Sequence, residues 1–162
     1  MADKQYAPHP SRSRVLGGMH ASSFVHGARS IAALLFGSFA QAQQPPPTYG
    51  EPVTLEQAKK IAAAAEAEAK KIDVSDNIAI VDPRGQTVFF QRMDGNQELG
   101  TVAIDKAVTA ARFRRPTTAS DADKPGGLPI LIDGKIIGAI GIGGGRAPQD
   151  AQVAEAGLAA IK

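Results

Sequence analysis

Apolar residues recur every three to four positions early in the C-terminal two thirds of the chain: Leu55, Ala58, Ile61, Ala62, Ala65, Ala69 and Ile72, with Glu and Lys on the opposite side. That period predicts an amphipathic helix over 53–72. Thr54, with Gln57 three residues later, supplies a capping-box start. The apolar run "NIAIVD", the turn-forming "PRGQ" and the β-branched and aromatic "TVFFQRM" read as a β-hairpin, followed by a "DGNQELG" loop. A second helix is expected over 101–113, with Val102, Ile104, Ala107, Val108, Ala111 and Phe113 on its apolar side and Pro116 stopping it. "LPILID" and "KIIGAIGIG" flank Asp133-Gly134, a strong hairpin signal. Gly138, Gly141 and Gly143 within the last strand mark bends or close backbone approaches. A closing helix over 148–161 turns Val153, Ala154, Leu158 and Ile161 inward. The order α-β-β-α-β-β-α predicts one α+β domain over 53–162.

What precedes position 53 has a different character. Arg29, the apolar run from Ile31 to Ala40 and the Ala40-Gln41-Ala42 signature follow the order of a secretory signal peptide. Residues 1–42 are therefore expected to be a leader, with Met19 an alternative start, and export to the periplasm or the medium is expected. The run is shorter than the roughly 20 apolar residues that span a bilayer, so no membrane association is expected after cleavage. Residues 43–52, "QQPPPTYGEP", read as a Pro-rich linker.

The leader also explains the charge. The whole chain carries 18 basic and 16 acidic residues, but four of the former and one of the latter precede position 43, which leaves a net charge near −1. With Tyr49, Phe89, Phe90 and Phe113 as the only aromatics after position 42, nucleic acid is not an expected partner. Cysteine is absent, and His9, His20 and His26 all lie in the leader. Residues 43–162 thus exclude zinc-finger sites, Cys-His pairs and Ser-His-Asp triads. Iron could meet only carboxylate, hydroxyl, amine, Met93 or Tyr49, so no metal site and no catalytic residue are assigned.

Three stretches carry candidate chemistry. Lys106, Arg112, Arg114 and Arg115 cluster toward the end of the second helix. Such cations complement the helix dipole and its free carbonyls, and one or two of them could equally bind carboxylates through the guanidinium fork. Gly144, Gly145 and Arg146 lie between a strand and a helix, where an anion could sit, although neither a dinucleotide fingerprint nor a Walker motif is complete. In "RMDG", Asp94-Gly95 is first a turn and Met93 a core filler or soft ligand. Asp82, Asp105 and Asp133 also sit near element ends, and no pair of acids is shown to converge.

Taken together, "NIAIVDPRGQTVFFQRMDG", "AIDKAVTAARFRRPT", "GGLPILIDGKIIGAIGIGGG" and "QDAQVAEAGLAAI" resemble the GlcG/HbpS family of haem-degrading-domain-like proteins over nearly all of 53–162. The resemblance implies helices against an antiparallel sheet of about five strands, homo-oligomers and, in some members, secretion and haem or iron binding. If haem is the cofactor, the resemblance implies contact by a threonine matching Thr109 or Thr117; from the residues themselves, Arg112, Arg114 or Arg115 could meet its propionates and Met93 is a further candidate contact, while Arg146, Gly144 and Gly145 remain the anion-site candidates. Where the family usually carries a further helix and loop after Arg-Pro-Thr, this chain has only "TASDADKP". Three functions follow. The first is an exported small-ligand-binding protein for haem or iron, with at most weak peroxide-dependent haem degradation. The others are a non-catalytic assembly or sensing partner, and a small-organic-acid binding protein or enzyme.

Overall fold

A computed structural model describes residues 45–122 and 124–162. The leader, its cleavage signature and Met19 lie outside the described residues. The elements are α1 (Leu55–Lys71), β1 (Asn77–Val81), β2 (Thr87–Arg92), α2 (Gly100–Phe113), β3 (Gly127–Ile132), β4 (Lys135–Gly143) and α3 (Ala147–Ala159), the expected order with ends shifted by one or two residues.

Local chemistry sets the boundaries. The Thr54 hydroxyl accepts the Gln57 N–H at 3.2 Å, and the Gln57 side chain accepts the Thr54 N–H at 2.9 Å. The β1–β2 turn is closed by Asp82, whose Oδ1 accepts the N–H groups of Arg84 and Gln86 at 2.8 and 2.9 Å. Asp133 and Gly134 both take positive φ, 49° and 71°, as a type I′ hairpin turn requires.

The strands pair in the order β2-β1-β4-β3, antiparallel throughout. Among the described residues the sheet has four strands, not about five. What extends it is the end of the Pro-rich segment: Gly50 N–H donates to Ile136 O and Ile136 N–H to Thr48 O, each at 2.8 Å, a single bridge too short to make a strand.

The two faces differ in side-chain size. One carries Ile78, Ile80, Ile130, Ile140 and Ile142, packed on Ala58, Ile61, Ala62 and Ala65 of α1 and Val153 and Ala154 of α3. The other carries Ala79, Val81 and Ala139 against Ala103, Ala107, Ala110 and Ala111 of α2. Small residues on both partners let α2 settle almost backbone to backbone on the sheet. A Cβ at Gly141 would sit 2.0 Å from the Ala103 carbonyl oxygen, which is what the strand glycine secures. The apolar side expected for α2 is correspondingly shifted: Ile104 and Val108 are only half-buried, and Phe113 is 55% exposed. Leu55 is exposed as well, at the first residue of α1. None of the helices described is long and apolar enough to cross a membrane.

Candidate functional site

Lys106 follows Val102 and Ala103 by four and three residues, which puts it on the face of α2 turned to the sheet. Its side chain leaves the Ala layer past the start of β3, where Gly126 and Gly127 present no side chain to block it. A Cβ at Gly126 would lie 3.2 Å from Lys106 Nζ and 2.8 Å from Asp150 Cβ. Through this gap the ammonium donates to Ile142 O at 2.7 Å and to Asp150 Oδ2 at 2.6 Å, and the two side chains are 5% and 3% exposed. Asp150, in the first turn of α3, also accepts the Gly145 N–H at 2.9 Å through Oδ1. Burial raises its carboxyl above the ordinary range, against the lowering by Lys106. The pair joins the layers on opposite sides of the sheet.

A second buried acid stands beside it. Asp76 is fully buried, and among the described residues neither carboxylate oxygen makes a well-formed hydrogen bond, the Gly145 N–H being near but turned to Asp150. Burial, and then the charge of Asp150, lift its carboxyl to about 6, with Gly145 and Lys106 acting the other way. Its backbone is clipped to Met93, whose sulfur accepts the Asp76 N–H at 3.4 Å and whose N–H donates to Asp76 O at 3.0 Å. Asn96 locks the adjoining loop: its Oδ1 accepts from Asn77 Nδ2 at 3.2 Å and from Glu98 N–H at 2.7 Å, and its Nδ2 donates to Ser75 O and Gly143 O.

In front of Lys106 and Asp150 opens a cleft of about 520 Å³, edged by Glu98, Lys124, Gly145 and Arg146. Lys106 has three N–H groups and spends two inside the protein.

The residues singled out in the sequence do not converge on one place. Gly144, Gly145 and Arg146 do lead into α3, but the Gly145 amide serves Asp150, and Arg146 donates from its backbone N–H and from Nε to Gln149 Oε1, each at 3.1 Å. Met93 is buried, its sulfur committed to Asp76. Thr117 is 5% exposed and its hydroxyl accepts the Gly127 N–H at 2.9 Å, tying the chain after α2 to β3. Thr117→Val should therefore cost about 1–3 kcal/mol by orphaning that buried N–H, measured by urea unfolding; a loss below about 0.5 kcal/mol would deny it this tie. Thr109 is half-buried on α2.

The arginines at the end of α2 are sorted by their partners. Arg115 grips Asp121 with both guanidinium nitrogens, at 2.9 and 2.8 Å, and that contact holds the Asp121 carboxyl far below its usual range. This pair closes the short loop after Arg-Pro-Thr. Arg114, in the left-handed conformation at φ 55°, donates to Pro47 O and lies over the Tyr49 ring. The free carbonyls of α2 are met by the Tyr49 hydroxyl, which donates to Ala111 O at 3.0 Å. Arg112 makes no ion pair among the described residues and lines a separate cleft with Tyr49 and Arg84.

The family model of the haem degrading protein HbpS-like type matches residues 53–159. This chain belongs to the HbpS-like family. Among curated relatives, protein GlcG of Escherichia coli K12 is 34% identical over 102 residues, 52% of this chain and 76% of GlcG. A double-mutant HbpS of Streptomyces reticuli is 30% identical at a TM-score of 0.63, covering 71% of this chain and 90% of its own. A PduOC:heme complex is 25% identical at a TM-score of 0.62, covering 68% and 96%.

For this HbpS-like domain, sequence reasoning missed the Lys106–Asp150–Asp76 cluster. A signal existed for two of its members. Lys106 keeps the spacing of Ala103 and Ala107, and Asp150 precedes Val153 and Ala154 by three and four residues, so each is a charge on an apolar stripe.

Proposed function

We propose that this chain is an exported small-ligand-binding protein, with haem as its first candidate ligand. The observation that carries the reading is the match of the HbpS-like model to 53–159 together with the likeness to a solved domain in complex with heme. The residues present suit the acidic edge of a haem better than its iron. Arg112 is exposed and, among the described residues, makes no ion pair, and its guanidinium fork suits a propionate. For iron, residues 43–162 offer no His or Cys, and the Met93 sulfur is buried against Asp76. Hydroxyl or carboxylate ligation would hold haem labilely rather than for electron transfer. When bound, haem would supply its own iron chemistry; the chain would supply a rigid sheet, a cation for the propionate and partial exclusion of water. The reading includes self-association, supported by Leu99 and Phe113, 71% and 55% exposed.

The test is a haem titration of the protein, followed by absorbance, with Arg112→Ala in parallel. A saturable Soret shift near one haem per chain, weakened several-fold by Arg112→Ala, is expected. Absorbance that only tracks free haem would overturn the reading and move the assembly or sensing role to the front. N-terminal sequencing of the protein from the culture medium or periplasm checks export, with Gln43 expected first.

A further inference from the structure

We propose that the cleft between the β1–β2 turn and the C-terminal half of α2 is an oxyanion site, built for a carboxylate or phosphate group of a small ligand. It deepens the ligand-binding reading without depending on haem.

Five features assemble it. The β1–β2 turn is fixed by Asp82, and Gly85 within it takes φ 84°. That turn is seated on α2, for a Cβ at Gly85 would meet Val108 Cγ1 at 3.4 Å. Arg84 is thereby held at the same flank of α2 as Arg112, one helical turn beyond Val108. Tyr49 forms the third wall, fixed by its hydroxyl on Ala111 O. The space enclosed is about 390 Å³, within the range of small-molecule sites rather than macromolecular grooves.

The electrostatics are one-sided. The lining is Tyr49, Pro83, Arg84, Gly85, Val108 and Arg112, two cations and no acid. Among the described residues, the ion pairs engage Lys60, Lys70, Lys71, Lys106 and Arg115, and neither Arg84 nor Arg112. The adjacent carboxylate, Asp82, has Oδ1 turned to the amides of its own turn. A helix C-terminus ordinarily repels anions through its free carbonyls, but here the single Tyr49 O–H donates to one of them, Ala111 O at 3.0 Å, with Arg112 O a marginal 3.5 Å away. The α3 N-terminus is different, since Asp150 already occupies the Gly145 amide. Two planar guanidinium groups on separate elements, each with a fork of donors, are what an oxyanion requires.

The experiment titrates the full chain with inorganic phosphate and, separately, with succinate, at constant ionic strength set by chloride. The readout is the side-chain Nε–H resonances of the arginines. Both resonances of Arg84 and Arg112 should move in saturable fashion while that of Arg146 stays put. Arg84→Gln and Arg112→Gln should each weaken binding about tenfold, the loss of one charge-assisted fork. Both residues are exposed, so thermal unfolding of the variants should match the parent. Tighter phosphate would assign a phosphate ester and tighter succinate a carboxylate, and either supports the site. Shifts equal to those produced by chloride alone, or unchanged binding in both variants, would overturn it. Because no haem is present, loss of this site and loss of haem binding are separately visible.

Discussion

Lys106→Met should cost the fold about 3–5 kcal/mol near neutral pH, the usual penalty for removing one partner of a buried ion pair. The reason lies in what stays behind. Asp150 would keep a single donor, the Gly145 N–H at 2.9 Å, and face the Asp76 carboxylate with no cation between the layers. The Ile142 carbonyl would lose its Nζ–H partner as well. The penalty should shrink as pH falls, because Asp150 already has its carboxyl raised by burial and would take up a proton more readily without Lys106. Adding Asp150→Asn should recover most of the loss, since neutralising both partners leaves no unpaired charge. Urea unfolding of parent, both single variants and the double variant at pH 7.5 gives the coupling directly. If the double variant were as unstable as the sum of the singles, the pair would not be coupled and the strut between α2 and α3 would have to be sought elsewhere.

The contrast between what could be read and what could not follows from this cluster. The helix over 53–72 was legible because its signal is local: a capping box and an apolar period lie within one segment. The same holds for the Asp133-Gly134 turn, where two residues determine the geometry. The glycines of β4 could be recognised as close approaches, but their partner could not, since the Ala103 carbonyl is 38 residues away from Gly141. The four strands were legible as two hairpins; the fifth that the family resemblance implied is not found among the described residues, where a single bridge stands instead. The bridge from Tyr49 to Ile136 joins a proline-rich segment to the far end of the chain, and nothing in its composition marks it as sheet. Site residues suffered most. Thr117 and Met93 attract attention as ligand types, yet the fold spends Thr117 on Gly127 and Met93 on Asp76. Arg84 drew none, because a turn arginine gains meaning only when the turn is known to rest on Val108.

Asp76→Asn should stabilise the protein at pH 8 and leave it nearly unchanged at pH 4. Asp76 is fully buried, with no well-formed hydrogen bond to either oxygen among the described residues, so its charged form is the costly one, and its carboxyl stands at about 6 in the folded chain against an ordinary 3.8. Between those two values the folded chain keeps a proton that the unfolded chain has released. Stability therefore falls as pH rises through this window, and above it the whole deficit is present. A gap of about two pKa units corresponds to roughly 3 kcal/mol. The groups facing Asp76 set the size of the effect: Asp150 on α3 raises its carboxyl, while Lys106 on α2 lowers it. An Asn at this position carries no charge, so it escapes the penalty at high pH. The difference in unfolding free energy between variant and parent, followed from pH 4 to pH 8, should open through the 4–6 window and then level off. A difference that stayed flat across this range, or a variant less stable than the parent at pH 8, would mean that Asp76 finds a donor or a cation in solution. In that case its carboxylate would be a partnered element of the Lys106–Asp150 network and not a stored proton.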